Sequence, residues 1–292
     1  MQDFSRIIRV FPTKTNMSPL DKMSYFGEPP MFLPEHDQVH ISVTFTWDIQ
    51  RAEYLRNQWS NATNKKILLG GPAYGDPGID FTPGMYLKNG VTITSRGCNK
   101  KCSFCFVNKR EGKIRELPII AGNIIQDNNL LACSPHHIEA VFEMLKKQRK
   151  IQFTGGLDSK YITEDIAKKL SELSIYQLWL ANDDKYDWDP LVNAIEILKP
   201  YFTSEKLRVY VLVGFDGDTM FEAEQRLIKT FQLGTKPFAM LYRDSDSTNY
   251  TKKRKQWRKF LHKWCRPAAF NTFMKHQYNP KTYNEQTFQF KN

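Results

Sequence analysis

Hydrophobic residues from position 91 onward form short runs of strand length, separated by stretches with the spacing of amphipathic helices. Each of four predicted helices begins at a good N-cap residue, namely Ser134, Thr163, Asp189 and Asp218. Strands that alternate with helices predict a parallel sheet, and right-handed crossovers would curve six strands into a partial (β/α)6 barrel. The six predicted strands are 91–95, 122–127, 150–154, 175–181, 207–214 and 238–242.

The first ninety residues show a smaller version of the same alternation. Strands are predicted at 6–11, 39–47 and 65–71, and a helix capped by Asp48 is predicted between the second and the third. This order predicts a small Rossmann-like α/β unit with parallel strands, and the Gly- and Pro-rich stretch 70–84 is typical of a linker. We therefore expect an α/β protein with three parts: a small α/β domain (1–85), a partial barrel (86–250) and a basic, aromatic C-terminal extension (251–292).

The C-terminal extension combines an apolar helical stripe with a high positive charge. Trp257, Phe260, Leu261 and Trp264 have the i, i+3, i+4, i+7 spacing of one helix face, which predicts a helix docked by its aromatic residues. Seven cations surround that stripe and are expected to face solvent: Lys252, Lys253, Arg254, Lys255, Arg258, Lys259 and Lys263.

Charge and hydropathy narrow the class of protein. The 292-residue chain has a net charge of +11, yet residues 252–292 contain eleven Lys or Arg and a single acid, so the rest is nearly neutral. No apolar run approaches the roughly 18 residues of a membrane span, and the N-terminus lacks the apolar core of a signal peptide. These features predict a cytoplasmic protein without membrane association, where clustered cysteines more often bind metal than form disulfides.

Three of the five cysteines lie in the segment CNKKCSFC, at Cys98, Cys102 and Cys105. A structural zinc site would need a fourth ligand, and the adjacent pair His136 and His137 at the start of a predicted helix does not have the usual ligand spacing. Three soft thiolates on one short loop instead suit a [4Fe-4S] cluster that leaves one iron open. Cys133 and Cys265 are distant in sequence and are interpreted as ordinary thiols.

The cysteine spacing, with Phe104 before the last cysteine and a strand before the loop, resembles the signature of radical S-adenosylmethionine (SAM) enzymes. The resemblance implies a [4Fe-4S] cluster held by Cys98, Cys102 and Cys105, SAM as second cofactor, and a reductase such as flavodoxin or ferredoxin as partner. It also implies SAM cleavage and hydrogen abstraction from a substrate, although it assigns no catalytic residue to this chain. The residues it suggests for SAM binding are Phe104, Asp127, Asn128, Asn129, Asn182, Gly214, Met240 and Leu241.

The N-terminal unit weakly resembles the cobalamin-binding domain of one branch of that superfamily. It lacks the Asp-x-His-x-x-Gly loop that provides the cobalt ligand, and the nearest histidine, His36, has a different context. We expect a degenerate domain without cobalamin.

Two functions of different kinds remain open from the sequence. The first is a radical SAM enzyme acting on a nucleic-acid base or nucleotide, as the basic extension suggests, or on a peptide or small metabolite. The second is a nucleic-acid-binding protein in which the cysteines hold a structural metal and the extension binds the nucleic acid.

Overall fold

The computed structural model of the chain describes residues 4–243, 247–284 and 288. It divides into two compact units. The first consists of Met1–Lys101 with Cys105–Asn128, and the second of Cys102–Phe104 with Asn129–Asn292.

The first unit begins with strands β1 (Ile7–Phe11), β2 (Ser24–Phe26) and β3 (Gln38–Ser42), helix α1 (Ile49–Ala62) and strand β4 (Lys66–Gly70). The four strands form a parallel sheet in the order β2-β1-β3-β4. Ile8 and Val39 of this sheet pack against Leu55 and Trp59 of helix α1. The predicted strands and helix are confirmed, and Asp48 takes the N-cap position of α1 but makes no side-chain cap hydrogen bond. Strand β2 was not predicted, and β3 ends at Ser42, before the 3₁₀ turn at Thr46–Asp48.

The rest of the first unit contains shorter elements. Strand β5 (Val91–Thr92) pairs in parallel with β8 (Ile124–Ile125), while β6 (Ser95–Arg96) pairs antiparallel with β7 (Arg115–Glu116). The single strand predicted over 91–95 is therefore wrong in its second half, because the chain leaves β5 and forms a separate two-stranded ribbon. The short helix α2 (Val107–Arg110) lies between β6 and β7 in sequence.

The second unit contains four parallel strands that lie side by side in chain order: β9 (Ile151–Phe153), β10 (Ile175–Ala181), β11 (Leu207–Val213) and β12 (Lys236–Leu241). Every second residue of β11 is buried, so the strand packs one face into a core. The predicted α/β class with parallel sheets is thus confirmed. The helices that precede these strands in the chain are α3 (Pro135–Lys146), α4 (Glu164–Ser171), α5 (Trp188–Leu198) and α6 (Met220–Gln232).

Two of the four predicted helix caps are confirmed. The hydroxyls of Ser134 and Thr163 accept backbone hydrogen bonds at the starts of α3 and α4. Helix α6 is capped by Thr219 rather than Asp218, because Thr219 and Glu222 form a capping box.

The prediction that α5 starts at Asp189 is also wrong. A 3₁₀ turn at Lys185–Asp187 leads directly into the helix, so that Asp187 takes the N-cap position.

The second unit ends with helices α7 (Ser247–Trp264) and α8 (Pro267–His276). Trp257, Phe260 and Trp264 are buried and Leu261 is half-buried, which confirms the predicted apolar face of α7. Among the described helices, none is long and apolar enough to cross a membrane.

Candidate functional site

The three clustered cysteines lie between β6 and α2, on a loop whose thiols are half-buried. Cys98 and Cys105 belong to the first unit and Cys102 to the second. Each of the five cysteines of the chain is a thiol rather than half of a disulfide. Within the described ranges, no three His, Cys, Asp or Glu side chains are grouped so as to hold a metal ion.

The start of the loop is fixed by a close backbone approach at Gly97. This glycine has φ +84°, and a Cβ atom at this position would lie 2.2 Å from the carbonyl oxygen of Lys113. The next residue, Cys98, donates its backbone N–H to the Gly112 carbonyl at 3.1 Å. Only glycine fits here without displacing the neighbouring chain, so the residue before the first cysteine is constrained by the fold.

A buried carboxylate supports the same part of the loop. Glu111 is 6% exposed and accepts the backbone N–H of Gly97 at 3.2 Å and the guanidinium of Arg110 at 2.6 Å. The Nη1 atom of Arg96 lies 3.9 Å from the same Glu111 oxygen that Arg110 contacts. Sequence reasoning missed Glu111, whose only signal was its position as the single acid in the basic run NKREGK.

Polar groups within the loop are directed at its first cysteine. The backbone N–H of Lys100 points to the Cys98 sulfur at 3.4 Å, and the Asn108 side chain donates to the carbonyls of Cys98 and Lys100 at 3.3 Å each. Hydrogen bonds to ligand sulfurs are among the protein features that tune iron–sulfur clusters. In number and residue type, these cysteines match three ligands of such a cluster, although their side chains are not grouped so as to hold a metal ion within the described ranges.

Asp127, predicted as a cofactor contact, lies buried beneath the strand that leads into the loop. Its carboxylate accepts three hydrogen bonds: from the backbone N–H of Thr94 at 2.7 Å, from the Thr94 hydroxyl at 2.5 Å and from the Ser95 hydroxyl at 2.8 Å. The side chain thereby joins the end of β8 to the chain between β5 and β6.

The two asparagines after Asp127 have different surroundings. Asn129 is buried and donates to Asp158 at 3.2 Å. The Oδ1 atom of Asn128 is buried and has no hydrogen-bond partner among the described residues. A buried acceptor of this kind is uncommon in folded proteins and is often satisfied by a ligand or water.

The second unit brings several of the other predicted residues together where β11 and β12 end. The ring of Phe104 lies 5.8 Å from that of Phe215, which lies 4.7 Å from the ring of Tyr242. Gly214 has φ +72°, and a Cβ there would lie 2.9 Å from the Leu241 side chain. Phe104, Gly214 and Leu241 thus share one site at the carboxyl ends of parallel strands, where α/β folds usually bind ligands.

A cation from α7 reaches the same strand ends. Lys253 donates to the Gly214 carbonyl, and its ammonium nitrogen lies 5.8 Å from the centre of the Tyr242 ring. The expectation that Lys253 faces solvent is wrong, because its ammonium group bonds to this carbonyl. The same expectation is wrong for Lys263, which pairs with the buried carboxylate of Glu224.

Two more of the predicted cofactor residues belong to the second unit, Asn182 directly after β10 and Met240 within β12. Asn182 is buried, and its side-chain amide donates a hydrogen bond to the hydroxyl of Thr230 on α6 at 3.1 Å. The side chain of Met240 is 44% exposed.

The histidines noted in the sequence have local roles or face solvent. Both ring nitrogens of His36 lie at hydrogen-bond distance from protein oxygens, Pro34 O at 2.8 Å and Thr63 Oγ1 at 3.0 Å. His137 is buried on α3, and the neighbouring His136 is exposed.

Comparison with models of protein families and with curated proteins gives no match for this chain.

Proposed function

We propose that this protein is a radical SAM enzyme whose [4Fe-4S] cluster is held by Cys98, Cys102 and Cys105, and whose parallel strands form the partial (β/α)6 barrel of that superfamily. The observation that carries the proposal is the cysteine loop itself. Its three thiols have the spacing C-x3-C-x2-C, its first residue is fixed by Gly97, and a backbone N–H points at the Cys98 sulfur.

When bound, the cluster supplies the electron that cleaves SAM and so starts hydrogen abstraction from the substrate. The chain's own residues then have to hold SAM and exclude water. Phe104 and Leu241 offer apolar surface at these strand ends. The space beside Gly214 is taken up by the side chains of Leu241 and Lys253, which a Cβ there would approach to 2.9 and 3.0 Å. We assign the adenine of SAM to this site.

A separate acceptor suits the amino group of SAM. The buried Oδ1 of Asn128 can accept a hydrogen bond from an ammonium group, and hydrogen bonds to charged groups are among the stronger ones. Asp127 then serves as a positioning residue, because its carboxylate already holds Thr94 and Ser95. Asn182 donates one amide hydrogen to Thr230, so its second amide hydrogen and its carbonyl oxygen remain for a ribose hydroxyl.

The reaction needs an external electron source, and we propose flavodoxin or ferredoxin. Cobalamin is not part of the proposal, since the N-terminal unit has no matching histidine loop and His36 is held by Pro34 and Thr63. A nucleic-acid base or nucleotide is the proposed substrate class, ahead of a peptide or small metabolite.

The test is anaerobic reconstitution with iron and sulfide, followed by addition of reductant and SAM. We expect the wild type and a Cys265→Ala control to produce 5′-deoxyadenosine, and Cys102→Ala to produce none. A wild type that retains metal yet yields no more 5′-deoxyadenosine than Cys102→Ala would refute the enzyme function and favour a structural metal site.

A further inference from the structure

Helix α7 separates its positive charges into two sets. Lys253 and Lys263 are turned inward, the first onto the Gly214 carbonyl and the second onto the buried carboxylate of Glu224. The remaining five cations of the run are exposed: Lys252, Arg254, Lys255, Arg258 and Lys259.

The exposed cations occupy one continuous face. At 100° per residue they spread over roughly half of the helix circumference, opposite the buried Trp257, Phe260 and Trp264. His262 lies on the same arc and is also exposed. Between Lys252 and Lys259 the face extends about 10 Å along the helix axis. We call these five cations and His262 the cationic face of α7.

Within the described residues, no carboxylate neutralises the cationic face. Helix α7 contains no Asp or Glu, and the described part of the chain places no carboxylate oxygen within ion-pair distance of its five Lys and Arg side chains. The pairs Arg254–Arg258 and Lys255–Lys259 stand at i, i+4, where like charges destabilise a helix. Despite this repulsion, the buried aromatic residues of α7 hold the helix against the rest of the second unit. Lys263 forms an ion pair with Glu224, and the Trp264 Nε1 donates to the same carboxylate at 2.5 Å.

The surroundings of this face favour one class of partner. A helix that binds membranes inserts its apolar face, but here the aromatic residues of α7 are already buried in the protein. An interface for a folded protein is usually built around apolar anchors, and the exposed arc of α7 carries none. A regular row of uncompensated cations matches the phosphodiester backbone of a nucleic acid.

We propose that the cationic face of α7 binds a nucleic-acid backbone and docks the substrate on which the enzyme acts. As a statement about the substrate, this inference rests on the function proposed above. Lys253 connects the two sites, because it lies among the outward cations in sequence while its ammonium group contacts Gly214 at the proposed SAM site.

The test measures binding of the full-length protein to single-stranded RNA and DNA of about 20 nucleotides by fluorescence anisotropy across a salt series. The test variant is Lys255→Gln/Arg258→Gln/Lys259→Gln. The matched control is Lys147→Gln/Lys168→Gln/Lys206→Gln, which removes three exposed positive charges elsewhere in the second unit. Circular dichroism checks that each variant retains the helical content of the wild type.

We expect the wild type to bind at least one of the two strands with steep salt dependence. The α7 variant should bind at least about tenfold more weakly near 0.1 M salt, and the slope of log K against log salt should fall by about two. The control should stay within about twofold of the wild type.

Equal affinity of the wild type and the α7 variant, or equal losses in both triple variants, would overturn the proposal. So would binding to phosphatidylserine vesicles or to a poly-glutamate peptide but to neither oligonucleotide. These measurements need neither cluster nor SAM, whereas 5′-deoxyadenosine formation can be measured without nucleic acid. Failure of this inference and failure of the proposed enzyme function are therefore distinguishable.

Discussion

The five cysteines of this chain occupy two kinds of environment. Cys98, Cys102 and Cys105 are half-buried on a loop that is fixed by the backbone and supplied with hydrogen-bond donors. Cys133 is buried beside α3, and Cys265 donates its thiol hydrogen to the Ala239 carbonyl at 3.2 Å. Burial raises the pKa of the Cys265 thiol to about 11. The three loop thiols and the other two thus differ in local structure as well as in sequence spacing.

The largest expected effect concerns the glycine that fixes the loop. Gly97→Ala and Gly112→Ala both place a side chain at positive φ, but a Cβ at Gly97 would lie 2.2 Å from a backbone oxygen while none lies within 4 Å at Gly112. We expect the shared backbone strain to cost about 1–2 kcal/mol in each variant, and the close approach to add about 1–3 kcal/mol only in Gly97→Ala. Urea unfolding measures the difference, and equal destabilisation would show that the close approach does not constrain the loop.

The second effect concerns the reactivity of Cys265. Its raised pKa, about 11 against an ordinary value of 9.0, leaves roughly a hundredfold less thiolate at pH 8. Alkylation of Cys265 by iodoacetamide, followed by peptide mass spectrometry, should be roughly a hundred times slower than that of glutathione under the same conditions. A rate similar to that of glutathione would contradict the assignment of Cys265 as a packing thiol.

Some of these features could be predicted from the sequence because they depend on residues that are close together in the chain. The cysteine spacing, the apolar face of α7 and the caps at Ser134 and Thr163 each depend on residues within a few positions of one another. Parallel strands and helices also followed from periodicity.

Other features depend on contacts between distant residues and could not be predicted from the pattern. Glu111 becomes part of the loop's support only because the chain folds back to Gly97, and Lys253 turns inward only because Gly214 presents a carbonyl to α7. Similarly, Asp127 could be noted as a polar residue at a strand end, but its three bonds to Thr94 and Ser95 require the register of β5 and β8.

The third prediction tests whether the hydrogen bonds of the Asp127 carboxylate to Thr94 and Ser95 stabilise the fold. Asp127→Asn keeps the shape of the side chain but provides an amide where hydroxyl donors now converge, so we expect a loss of about 1–2 kcal/mol of unfolding free energy. The matched control is Asp80→Asn, at an exposed position, which should be neutral. Chemical denaturation of both variants provides the comparison, and a neutral Asp127→Asn would mean that the carboxylate does not stabilise this strand end.

The smallest expected effect is a pH dependence that arises from Cys265. Its folded pKa of about 11 lies above the ordinary value of 9.0, so the folded state keeps the thiol proton to higher pH than the unfolded state does. The stabilising contribution is therefore complete below pH 9.0 and is lost as the pH rises through about 11. The free energy of unfolding should fall more steeply over this range in the wild type than in Cys265→Ala, and parallel curves would contradict the prediction.

The proposed function requires that the loop cysteines, and not the other two, hold an iron–sulfur cluster. Its most direct test is the iron and sulfide content of five single alanine variants after anaerobic reconstitution. We predict about four iron and four sulfide per chain for the wild type, Cys133→Ala and Cys265→Ala, and a large loss of both for Cys98→Ala, Cys102→Ala and Cys105→Ala. Iron and sulfide contents that are the same in all five variants, or a loss caused by Cys133→Ala or Cys265→Ala alone, would contradict this assignment of the cluster ligands.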